Sequence, residues 1–135
     1  MNADLEMVLR LALAAFLGAV IGFQREWSGK EAGLRTNILI CLAAALITIV
    51  SARGFPGSDP ARIAAGVIAG VGFIGAGVIL HRDGGDVSGL TTAATIMVVA
   101  GIGVAAGSGL YIVAGATTVL ALVILLLPHV RRPKR

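Results

Sequence analysis

Five stretches of the sequence run on with almost no charge: Met7–Phe23, Thr36–Ser51, Ala61–Leu80, Leu90–Ala106 and Leu110–Leu127. Each is close to the ~20 apolar residues a helix needs to cross a hydrocarbon core about 30 Å thick. The first, second and fourth are slightly short, which snorkelling ends or local bilayer thinning can absorb. The fourth and fifth are divided only by Gly107-Ser108-Gly109. A single helix from Leu90 to Leu127 would be about 57 Å long, so a tight hairpin at these residues is expected. The predicted fold class is all-α, an integral membrane bundle of five transmembrane helices at about 7–23, 36–51, 61–80, 90–106 and 110–127. A basic tail, 128–135, follows within the single transmembrane domain 1–135.

Composition agrees. Hydrophobic residues make up 57% of the 135 residues and charged ones 13%, against roughly 45–50% and about 25% in soluble domains. A compact soluble domain of this size could not hide so much aliphatic surface, so the lipid bilayer is the expected partner. Cys41 is the sole cysteine, which excludes an intrachain disulfide and a cysteine-rich zinc site; it reads as a small buried hydrophobe. A net charge of +4 could suggest nucleic acid. Four of the eleven basic residues, however, lie in the final Arg131-Arg132-Pro133-Lys134-Arg135 without stacking aromatics. No nucleic acid is expected, and the tail reads as a topology signal or an anchor for anionic headgroups.

Alternation of five spans puts eight of the eleven Lys and Arg on one side: Arg25, Lys30, Arg35, Arg82 and the tail. The other side has Arg10, Arg53 and Arg62. The positive-inside rule then predicts an external N-terminus and a cytoplasmic C-terminus. The opening Met1-Asn2-Ala3-Asp4-Leu5-Glu6 is acidic where a signal peptide would be basic, so the first run is expected to remain as a helix. Ser58-Asp59-Pro60 reads as a cap followed by proline at the first helical position. Ser88 can cap the fourth helix, and Glu6 and Arg10 are spaced to pair on one face.

Gly70-Val71-Gly72-Phe73-Ile74-Gly75 has the letters of a dinucleotide-binding loop, G-x-G-x-x-G. That loop requires a preceding strand, a following helix and an acid about 20 residues on. Only Ala76–Leu80 follow before a charged, glycine-rich turn, and the residues before it already belong to the same apolar run. No nucleotide is expected at Gly70–Gly75. The same glycines also lie in helical rows. Gly66 and Gly70 form G-x-x-x-G with Gly77 near the same face, Ala69, Gly72 and Ala76 form a second row, and Ala14, Gly18 and Gly22 do likewise in the first helix. Small residues let membrane helices approach closely. The third helix, with glycines at 66, 70, 72, 75 and 77, therefore reads as the packed centre of the bundle. Local unwinding at these glycines is the alternative.

No Asp, Glu, Lys or Arg lies in the interior of spans two to five, Arg62 standing at the very start of the third, and Arg10 in the first is near enough to its end to snorkel. This argues against a buried carboxylate relay, less against a passive pore or a surface Mg2+ site, since hydrated Mg2+ needs only one or two carboxylates. The connection Gln24–Asn37 is the richest in polar groups, with Trp27 suited to the interfacial belt. Arg25, Lys30 and Arg35 serve as positive-inside markers; the alternative is a cytoplasmic network in which Arg25, Glu26 and Arg35 dock on Asp83, Asp86, Thr91 and Thr92. Membrane threonines commonly bond their own helix backbone, and Thr91, Thr92 and Thr95 fit that use as well. His81 and His129 have no metal-ligand spacing, and no nucleophile–base pair is evident. No catalysis and no cofactor are expected, with Mg2+ the one ion left open.

The ordered motifs Gln24-Arg25-Glu26-Trp27, Ala32-Gly33-Leu34-Arg35-Thr36, Asp59-Pro60-Ala61-Arg62-Ile63, Gly70-Val71-Gly72-Phe73-Ile74-Gly75-Ala76-Gly77 and Gly89-Leu90-Thr91-Thr92-Ala93-Ala94-Thr95 resemble the MgtC/SapB family of bacterial inner-membrane proteins. The resemblance runs from about Arg10 to Tyr111. It implies a polar signature at Arg25, Glu26, Arg35, Thr36, Asp59, Arg62, Thr91 and Thr92, and a glycine signature at Gly70, Gly72, Gly75 and Gly77. Asn37 and Met97 depart from the histidine and tryptophan the family leads one to expect. The resemblance also implies a multi-pass protein of the bacterial inner membrane, linked to Mg2+ homeostasis and growth in low Mg2+, and in some relatives to virulence and survival inside phagocytes. Several relatives resemble regulators of other membrane proteins, ATP synthase among them. The expected activity is modulation of a membrane partner; the alternative is an ion channel or transporter built by a homo-oligomer. Some relatives carry a further soluble domain, and functions residing there are not expected of these residues.

Overall fold

The computed structural model describes residues 2–80 and 87–128 and contains five helices. They are α1 (Ala3–Trp27), α2 (Leu34–Gly54), α3 (Pro60–Leu80), α4 (Val87–Gly107) and α5 (Tyr111–Leu125). Four are long and apolar enough to cross a membrane. α5 has 15 residues, but its end lies beside the start of α4, where Leu125 and Leu127 share a cavity with Thr91. It therefore runs back along the height of α4.

Charged residues extend the helices past the apolar runs. α1 begins at Ala3 because the Asn2 side chain accepts the Asp4 amide at 3.1 Å, with Asp4 and Glu6 in the first turn, where the helix dipole favours acids. It continues through Gln24-Arg25-Glu26 and stops only where Gly29 turns to φ 72°. There the Gly29 amide donates to the Glu26 carbonyl and the Lys30 amide to the Arg25 carbonyl, both at 3.0 Å. This double bond pattern is the Schellman motif, which a left-handed glycine permits at low cost. The same motif ends α4: Gly109 at φ 85° donates to Ala106, and Leu110 to Ala105. That closes the hairpin expected at Gly107–Gly109. α3 starts on Pro60 with the Asp59 carboxylate accepting the Ala61 amide at 3.0 Å, as the sequence implies. Ser88 and the charged turn 81–86 lie outside the described side chains.

α4 is the hub. It packs against each of the other four helices, whereas among the described elements α3 touches α4 and, lightly, α2. The reading of α3 as the packed centre is therefore corrected. A Cβ at Gly66, Gly70, Gly72 or Gly77 would meet nothing within 4 Å, and only Gly75 touches a neighbour, Ala93 at 3.4 Å. α3 leans on the bundle through Val67, Val71 and Gly75, one stripe at four-residue spacing, and turns its other glycines outward. It is helical from Pro60 to Leu80 without a break, so the unwound alternative does not hold either.

The close approaches occur elsewhere. A Cβ on Gly18 would stand 2.7 Å from the Asn37 carbonyl and 2.8 Å from Cys41 Cβ, and one on Gly22 would stand 2.8 Å from Leu34 Cα. Gly103 abuts the Cys41 carbonyl, and Gly107 abuts Ala45. α2 is thus gripped between glycines of α1 and α4, and Cys41 is buried there. Gly103 and Gly107 themselves form a G-x-x-x-G pair in the sequence. Large apolar residues such as Phe16, Phe73, Ile112 and Leu120 stay exposed, as they do on a surface that faces lipid chains. Trp27 stacks on Phe23 with centroids 5.9 Å apart at the end of α1, where an aromatic belt is expected.

Candidate functional site

Polar side chains gather at the two ends of α1. At its start, Arg10 Nη2 bonds Glu6 at 2.7 Å, Nε donates to the Tyr111 hydroxyl at 3.0 Å, and Nη1 donates to the Gly107 carbonyl at 2.9 Å. The Tyr111 hydroxyl also reaches Glu6 at 3.3 Å. Arg10 is therefore more than a snorkelling cation: it clamps α1 to the α4–α5 hairpin and donates to Glu6 in the i,i+4 pair read from the sequence. Arg10→Met is expected to lower the thermal midpoint by several degrees and Tyr111→Phe by less, in detergent-solubilised protein followed by circular dichroism. Equal midpoints would show that the clamp carries no stability.

At the other end, the last turn of α1 buries Arg25, whose side chain is 3% exposed. Its Nη2 donates to Thr92 Oγ1 at 2.6 Å, and Thr92, fully buried on α4, donates onward to Glu31 Oε2 at 3.1 Å. Three segments are thereby joined: α1, the connection after it, and α4. Arg25 Nε is buried without a hydrogen-bond partner. Asn37, also fully buried, ties the same connection down: its Nδ2 donates to the Ala32 and Gly33 carbonyls at 3.0 and 2.8 Å. Asn37 Oδ1 is buried without a partner.

Threonine use divides as the sequence allows. Thr95, Thr48 and Thr118 bond carbonyls four residues back in their own helices, and Thr92 also reaches across to Arg25 of α1 and to Glu31. Of the network read from the sequence, Arg25 and Thr92 meet. Glu26 is exposed and lies over Gly33, and Arg35 and Thr36 are exposed in the first turn of α2. Asp59 and Arg62 stand at the start of α3 and are exposed; the structure does not bring them to Arg25. Thr91 is half-buried beside Arg25 and Lys30. Asp83, Asp86, His81, His129 and the basic tail lie outside the described residues. Glu31 was not singled out by sequence, because nothing marks a lone loop carboxylate until the loop is folded back.

Two hollows accompany these groups. One, about 490 Å3, adjoins Arg25 at the end of the bundle. The other is an almost wholly apolar groove of about 670 Å3 between α2 and α3, with Leu39, Ala43 and Ile47 on one wall and Gly66, Gly70 and Ile74 on the other. Arg62 sits at its rim. Gly66 and Gly70 leave the α3 backbone bare along this groove.

Comparison with known proteins gives a consistent result. The profile described as the MgtC family matches residues 11–132. The chain is 48% identical to YhiD of Escherichia coli K12, named as a candidate magnesium transporter, over 92% of the chain and 61% of that protein. It is 46% identical to the SapB protein of Bacillus subtilis, over 80% of the chain and 50% of that protein. It is 48% identical to the MgtC protein of Salmonella typhimurium LT2, over 85% of the chain and 49% of that protein. The chain thus spans about half to three-fifths of the length of these relatives. No solved structure matches it.

Proposed function

From the premise that this chain belongs to the MgtC family of multi-pass membrane proteins, we propose that it serves Mg2+ homeostasis in the bacterial inner membrane by engaging another membrane protein. The observation that carries the reading is the outward face of α3. Gly66 and Gly70 line an apolar groove beside α2, and Gly72 and Gly77 open to the exterior. In lipid no hydrophobic force drives helices together, and small residues at a close crossing supply the packing instead. A transmembrane helix of the partner fits this groove, with Arg62 at the rim to meet an acidic group at the partner's membrane boundary.

A second observation favours modulation over conduction. Among the described residues the charge buried between α1 and α4 is the cation Arg25, and an arginine beside a pathway raises the electrostatic barrier to cations. Positive-inside counting favours a cytoplasmic Arg25, and the proposed orientation follows from it.

The transporter reading draws on the name borne by YhiD, and one experiment separates the two. Purified protein in liposomes loaded with a Mg2+ indicator is expected to pass no more Mg2+ than empty liposomes. In cells limited for Mg2+, Gly66→Leu with Gly70→Leu should abolish growth support while the purified variant keeps its helicity and midpoint. Mg2+ flux that disappears with Asp59→Ala or Arg35→Ala would overturn the modulator reading.

A further inference from the structure

The hollow beside Arg25 has the make-up of an anion site, and we propose that it binds a phosphate ester, with the headgroup of an anionic phospholipid as its source. Its polar wall carries two cations, Arg25 and Lys30, with the hydroxyl residues Ser28 and Thr91; its other wall is aliphatic, with Leu125 and Leu127. No carboxylate lines it among the described residues. The volume, about 490 Å3, is large enough for a glycerophosphate group with the first carbons of its chains.

The two cations are held together by the backbone. The Schellman turn at Gly29 brings the Lys30 amide onto the Arg25 carbonyl at 3.0 Å, so Lys30 returns over the last turn of α1. Arg25 donates one Nη to Thr92 and keeps its Nε buried without a partner. Glu31 Oε2 accepts from Thr92, which links it to the guanidinium through the threonine hydroxyl. Among the described residues no carboxylate pairs with this guanidinium; a buried charge left so is costly, and a planar donor fork is suited to phosphate oxygens. α4 also begins on this side, placing the positive end of its dipole near the cavity. Basic pockets between transmembrane helices at the membrane surface are the usual seats of acidic headgroups. The cavity is formed by α1, α4 and α5, away from the groove between α2 and α3, so this site and the partner-docking face fail or stand separately.

The test uses the whole chain, delipidated in non-ionic detergent and titrated with phosphatidylglycerol or phosphatidylcholine, with bound lipid counted by native mass spectrometry. A one-to-one phosphatidylglycerol adduct is expected at lower lipid concentration than any phosphatidylcholine adduct. Lys30→Ala should weaken it about fivefold and Arg25→Gln by at least as much, whereas Arg53→Ala, at the opposite end of the bundle, should leave it unchanged. If Arg25→Gln does not fold, Lys30→Ala alone carries the comparison. Inorganic phosphate that binds in a Lys30-dependent way, with no preference between the lipids, would assign the same site to a soluble phosphate. Equal binding of both lipids with no phosphate bound, or equal loss in Lys30→Ala and Arg53→Ala, would overturn the site.

Discussion

Gly103→Val is expected to remove the folded bundle, whereas Gly70→Ala is expected to leave it intact. At Gly103 any Cβ runs into the Cys41 carbonyl and stands 2.8 Å from the Ala44 Cβ. The obstacle is backbone on a helix gripped from both sides, so no side-chain rotation relieves it. Overpacking a core commonly costs about 1–3 kcal/mol and sometimes more, and a backbone collision belongs at the upper end. Gly18→Val, against the Asn37 carbonyl at 2.7 Å, should behave similarly. At Gly70 an added methyl meets nothing within 4 Å. There alanine should raise helix stability by up to about 1 kcal/mol. Size-exclusion profile and thermal midpoint in detergent read the difference. A folded Gly103→Val with an unchanged midpoint would show that α2 and α4 do not cross where the structure places them.

Thr92→Val should be more damaging than its conservative size suggests. The substitution keeps the volume but removes the oxygen that accepts from Arg25 at 2.6 Å and donates to Glu31 at 3.1 Å. A buried guanidinium would then lose its hydrogen-bond acceptor, at a cost of about 1–3 kcal/mol or more for a charged group. Replacing the cation as well, in Arg25→Met with Thr92→Val, removes the charge that needs the acceptor. Part of the loss should therefore be recovered, because apolar replacement of a buried charged pair is often neutral or favourable. A double-mutant cycle on thermal or denaturant unfolding measures this. Strictly additive losses would mean that Arg25 and Thr92 are not coupled.

The two predictions differ in how far the sequence foresaw them. Arg25 and Thr92 were both candidates, one as part of a charged exit from α1, the other as one of three clustered threonines. Nothing local distinguishes Thr92 from Thr95, since either can satisfy its hydroxyl on its own helix. Only the placement of α4 against the last turn of α1 gives Thr92 a donor and an acceptor beyond its own helix. Glu31 enters the same node because Gly29 and Asn37 fold the connection back, an arrangement legible at Gly29 but not at Glu31. The glycines show the same limit from the other side. G-x-x-x-G spacing occurs in α3 and in α4, and in both it lays small residues along one helical face. In α4 that face meets α2; in α3 it remains uncovered.

Some properties belong to short windows of sequence, and those the sequence settled. Apolar runs of membrane length, the proline start of α3, the hairpin glycines and the i,i+4 pair of Glu6 and Arg10 depend on neighbours within a turn or two. The resulting class, an all-helical membrane bundle of the MgtC family, needed no coordinates. The tertiary structure decided which helix is central, which glycines bear a neighbour's backbone, and which cation is sealed between helices beside an open cavity. Those outcomes depend on what stands opposite a residue, and the facing element lies tens of residues away, where no local preference of the chain can specify it.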